Sequence, residues 1–125
     1  MKKIRFPIKR NIGFMQGRLV NSPYKKIQCF PARDWKKELK IANENDLCLI
    51  EWTVNLVNLK KNPIFFKKRL NEIIYFKKRY NCKINSLTCD YFMEKPFFKA
   101  KSFEKKKIIF NLKKIIQHSE LLNIK

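Results

Sequence analysis

The chain has 125 residues, a mass of 15.2 kDa and a formal net charge of +20, with 30 Lys and Arg against 10 Asp and Glu. One domain is the ceiling at that length, and 45% hydrophobic with 14% aromatic residues excludes a disordered chain. No apolar run approaches the roughly 18 residues of a membrane span, and no apolar stretch follows the basic start Met1–Arg10. Neither a membrane partner nor a signal peptide is therefore expected, and the chain reads as cytoplasmic.

The charge excess is nearly all lysine, and Asn, Ile and Phe are the other abundant residues. All four have A- or T-rich codons, so base composition accounts for the charge without selection for phosphate binding. The lysines fall as pairs along predicted helices, where a solvated face puts them. Cys29, Cys48, Cys82 and Cys89 show no C-x-x-C spacing and no cluster with His, which argues for reduced, buried thiols and against zinc.

Residues 1–10 form a basic lead-in, in which Pro7 is expected to prevent regular structure just before the first strand. Ile12 to Met15 reads as a strand, and Gln16-Gly17-Arg18 as its C-terminal turn. Gly13 and Gly17, the two glycines of the sequence, both fall here. A long connection from Val20 to Arg33 carries Pro23 and Pro31. Asp34 then caps a helix whose Trp35, Leu39 and Ala42 share one face, with Lys36, Lys37 and Lys40 on the other and Asn45 as its left-handed stop.

Leu47 to Trp52 is a nearly continuous apolar run ending in Glu51 and Trp52, as expected of a strand in a parallel sheet. Asn62-Pro63 opens a second helix with Phe66, Leu70, Ile73, Ile74 and Tyr80 on its stripe, stopped at Asn81. Ile84 to Asp90 reads as a third strand. Ser102 caps a third helix with Ile108, Ile109, Leu112, Ile115 and Ile116 inward and Asn123 at its end. His118, the only histidine, is expected on that helix's surface. Strand starts roughly 36 residues apart fit βαβ units with right-handed crossovers.

The segments Ile12-Gly13-Phe14-Met15-Gln16-Gly17-Arg18-Leu19, Gln28-Cys29-Phe30-Pro31, Ile50-Glu51-Trp52 and Cys89-Asp90-Tyr91-Phe92-Met93 resemble, in order and spacing, the N-terminal part of sugar phosphate isomerases/epimerases. These belong to the xylose isomerase-like TIM barrel superfamily. The resemblance spans residues 11 to about 123 and implies an α/β fold: a partial (β/α)8 TIM barrel of about three βα units with a parallel sheet, over residues 11–125. It also implies metal-dependent aldose–ketose isomerisation or epimerisation of a sugar or sugar phosphate. The family's divalent metal is held by Glu, Asp and His on later strands, so this chain is expected to bind none alone, to be catalytically silent, and to work with a complementing C-terminal barrel half.

Active sites of such barrels lie at the C-terminal ends of the strands. The resemblance and the strand ends together make Gln16, Arg18, Glu51, Trp52, Asp90 and Tyr91 the candidate substrate-binding residues. Two other readings stand beside this one. A basic nucleic-acid-binding module is compatible with the same superfamily, which includes abasic-site endonucleases, and would bind with a steep salt dependence. Self-association through open sheet edges is the third.

Overall fold

The structure, a computed structural model, describes residues 12–21 and 28–125. The basic lead-in with Pro7 and the Pro23 part of the long connection lie outside the described residues. Strands β1 (Gly13–Met15), β2 (Leu49–Val54) and β3 (Lys83–Cys89) form a parallel sheet in the order β1-β2-β3. Between them come helix α1 (Trp35–Glu44) and then, after three short 3-10 turns, α2 (Leu70–Arg79). The short α3 (Tyr91–Glu94) and the long α4 (Ser102–Leu121) follow β3.

All the helices bury their apolar faces in one core on one side of the sheet. Ile50, Trp52 and Val54 alternate along β2 and pack, with Ile84 of β3, against Trp35 and Leu39 of α1, Ile73 of α2 and Ile108 and Ile115 of α4. At about 25 cal/mol per Å² of apolar surface, each of these large side chains contributes roughly 1.5–3 kcal/mol on burial. Trp52 is the centre of that core: its ring lies 5.6 Å from both Phe30 and Trp35. The alternate residues Leu49, Glu51 and Thr53 belong to the other side of the sheet.

Three helices end in the same way. Asp46, Asn81 and Asn123 have φ of 58°, 50° and 56°. In each case the next N–H reaches back to a carbonyl five residues earlier: Leu47 to Ala42, Cys82 to Lys77, and Ile124 to Ser119, all at 2.9 Å. These are Schellman ends, and the residue after each turns inward to start the next apolar run. Asn81 and Asn123 stand where the sequence predicts them. Asn45 does not: it has φ −112° and its amide caps the Ile41 carbonyl at 2.8 Å, leaving the left-handed position to Asp46.

Other boundaries differ from expectation for local reasons. Because Leu47 closes the α1 end, β2 starts at Leu49 and continues through the β-branched Thr53 and Val54, which puts Glu51 in mid-strand. Asn62 does cap, accepting the Ile64 N–H, but it opens only a 3-10 turn. Phe66 is extended (φ −121°, ψ 112°) and 39% exposed, so α2 waits until Leu70 and Phe66 leaves the stripe. Ser102 is the first residue of α4, with Lys101 at the cap position. On α4, Ile116 is exposed and His118 is buried, its Nδ1 hydrogen-bonded to the Ile64 carbonyl rather than facing solvent.

Candidate functional site

The side of the sheet away from the helices carries a cavity of about 310 Å³, lined by Gly13, Met15, Leu49, Glu51, Asn85 and Ser86 among others. The strand register brings these together: Gly13 pairs with Leu49, Met15 with Glu51, and Glu51 with Ser86. A register shift between Ile50 and Glu51 places Asn85 and Ser86 side by side at the cavity. Gly13 permits the tight approach of β1 to β2, since a Cβ there would sit 2.4 Å from the Leu49 carbonyl oxygen. The half-buried Glu51 carboxylate accepts hydrogen bonds only, whereas the Ser86 hydroxyl and Asn85 amide both donate and accept. That set suits a ligand rich in hydroxyl groups.

Of the six candidate residues, Glu51 is the one that lines this cavity. Gln16 is fully buried and ties β1 to β2. Its Oε1 accepts the Thr53 N–H at 3.1 Å, its carbonyl accepts the Thr53 hydroxyl at 3.3 Å, and its N–H donates to the Glu51 carbonyl at 3.0 Å. Trp52 points into the helix-side core, where its indole N–H donates to Asn62 Oδ1 at 3.1 Å. Tyr91 is buried, and its hydroxyl accepts from the Asn111 amide at 3.0 Å. These three serve the scaffold. Arg18 is exposed and Asp90 half-buried, the latter's carbonyl receiving the Met93 and Glu94 N–H groups as it starts α3.

The buried polar residue that sequence reading passed over is Glu38. It lies on α1 at i+3 from Trp35 and is fully buried. Its Oε1 accepts the Gly17 N–H at 2.7 Å and the Leu19 N–H at 3.1 Å, holding the turn that ends β1. Burial pushes its carboxyl up from 4.5 to about 7, against the opposing pull of those backbone N–H groups. Its position on the Trp35/Leu39/Ala42 stripe was the available signal. A second missed group is the asparagine set of the β2–α2 loop. Asn55 accepts the Phe30 N–H at 3.2 Å, Asn58 donates to the Phe30 carbonyl at 2.8 Å, and Asn62 joins Trp52, Thr53 and Ile64. Three asparagines within eight residues of a strand-to-helix loop are a legible cue for such backbone capture.

Burial pushes the Cys82 and Cys89 thiols up to about 12, so neither is a thiolate nucleophile at neutral pH. Among the described residues, no three His, Cys, Asp or Glu side chains come together as a metal-holding group. No chemical step is assigned through a divalent metal. No helix of the described residues is long and apolar enough to cross a membrane. No protein-family model, curated protein or solved structure matches the chain.

Proposed function

We propose that this chain forms the first three βα units of a sugar phosphate isomerase/epimerase barrel and that the open face of its sheet contacts the sugar. The observation that carries this reading is the arrangement of the layers. The strands are parallel and follow chain order, and every helix with a share in the core lies on one side. A barrel places helices outside, fills the inner strand face with its own core and binds its ligand towards the C-terminal ends of the strands; a doubly wound sheet would cover both faces with helices. The Gln16-Gly17-Arg18 turn and the Cys89-Asp90-Tyr91 segment, which carry the family resemblance, both fall at C-terminal ends of strands.

In this reading Glu51 accepts hydrogen bonds from sugar hydroxyls while Asn85 and Ser86 supply donors across the cavity. Proton transfer between adjacent sugar carbons needs a base in reach and stabilisation of the enediolate. The described residues offer the carboxylate without the second element, so the chain alone binds and does not turn over. Calorimetric titration of the purified chain with a hexose phosphate and with the parent hexose tests the binding role. Glu51→Gln is expected to weaken binding about tenfold through loss of a charge-assisted acceptor. Unchanged affinity, or metal-dependent isomerase turnover by the isolated chain, would overturn the reading.

A further inference from the structure

A groove of about 690 Å³ runs between the loop that follows β2 and the first half of α4. Its floor is apolar, built from Leu56, Leu59, Phe65 and Ile108, with Phe65 and Ile108 buried. Cations stand on both of its walls. Lys60 and Lys61 rise from the loop, and Lys107 and Lys114 from the helix. Lys95 adds a further cation, while Glu104 is the one acid among the lining residues. Lys107 and Lys114 are seven residues apart on α4, roughly 10 Å along its axis.

The distribution of charge decides what fits. An amphiphile with a single anionic head needs its cations at one end, whereas these lie along two sides of an apolar trough. A single-stranded nucleic acid needs open aromatic faces for its bases. Of the four aromatic rings that line the groove, Phe65 and Tyr91 are buried, the Lys114 ammonium lies 5.9 Å from the centre of the Phe66 ring, and Phe103 is the one left largely open, too few for a run of stacked bases. An α-helix with an apolar stripe flanked by carboxylates matches both the floor and the walls.

We propose that this groove receives an acidic amphipathic helix of a partner protein, with apolar side chains at i, i+3/i+4 and i+7 on the floor and Glu or Asp against the lysines of each wall. Such an arrangement steers encounter and fixes the register of the bound helix. It is independent of sugar binding on the opposite side of the sheet.

The test uses the full chain and a labelled designed peptide of about four helical turns, with Leu on one stripe and Glu on both flanks. A scrambled peptide of the same composition is the control. Fluorescence anisotropy is read for the wild type, for Lys107→Glu/Lys114→Glu, and for Lys37→Glu/Lys40→Glu on the solvent side of α1. The wild type is expected to prefer the amphipathic peptide. The groove pair should lose about tenfold or more in affinity and the α1 pair less than about twofold. Equal binding of the scrambled peptide, equal losses in the two charge-reversed pairs, or displacement of the peptide by oligothymidylate or octadecanoate at lower concentration than by unlabelled peptide would overturn the proposal.

Discussion

The Glu38 carboxylate of α1 accepts the Gly17 backbone N–H at 2.7 Å across 21 residues of chain, from a position with no exposure to solvent. The first helix thereby clamps the turn that terminates the first strand. Gly17 in turn has φ 93°, and its open side lies against the Cys29 carbonyl. Turn, helix and the Cys29 segment are thus fixed by one buried acid and one glycine.

Burial of the Glu38 carboxyl, which outweighs the pull of the clamped N–H groups, makes stability depend on pH. The folded-state pKa of Glu38, about 7, lies above its unfolded value of 4.5. Below the lower value both states hold the proton. Between the two, the unfolded chain ionises while the folded one does not, so stability falls as pH rises; above about 7 the loss is complete. The total is of order 3 kcal/mol at 1.36 kcal/mol per pKa unit. Urea unfolding across this range should show the decline in the wild type and a flat response in Glu38→Gln, relative to each protein at its acid end. Parallel curves for the two proteins would contradict the assignment.

Gly17→Ala tests the other half of the clamp. A Cβ at this position would lie 2.2 Å from the Cys29 carbonyl oxygen in a conformation that side chains rarely adopt. A loss of at least about 2 kcal/mol is expected from strain and collision together, read as a lower urea midpoint at unchanged slope. A loss below about 0.5 kcal/mol would mean that the turn relaxes freely.

Asn62 is expected to be among the most sensitive polar residues of the loop. Its Oδ1 accepts from the Trp52 indole and the Ile64 N–H, and its Nδ2 donates to the Thr53 carbonyl at 2.9 Å. Asn62→Ala strands these buried groups and should cost about 2–4 kcal/mol. Asn62→Asp keeps the acceptor and should fall between the wild type and Asn62→Ala at neutral pH. Near-wild-type thermal stability of Asn62→Ala would show that water replaces the amide at no cost.

What sequence reading captured and what it missed follow from the range of the interactions involved. The Trp35/Leu39/Ala42 stripe, the left-handed Asn81 and Asn123 and the need for glycine at Gly17 are local properties, and the structure carries all of them. The extent of β2 was misread because Leu47 is apolar enough for a strand yet is used to close α1. His118 and Glu38 were misplaced or passed over because polar residues on helices are ordinarily solvated. Their burial depends on carbonyl and N–H groups contributed by Ile64 and Gly17, distant in the chain. The same holds for the candidate site. Gln16 and Tyr91 sit just past the ends of β1 and β3, whereas Trp52 lies within β2; the side chains of all three satisfy partners in the scaffold, a matter of tertiary packing that spacing alone does not reveal.

The most direct test of the account is to map where a sugar phosphate touches the protein by amide chemical-shift perturbation. Shifts concentrated at Gly13, Met15, Glu51, Asn85 and Ser86, saturable with added hexose phosphate and needing about tenfold more of it in Glu51→Gln, are the predicted result. Saturable shifts confined to the α4 groove, or none at the open sheet face, would contradict it.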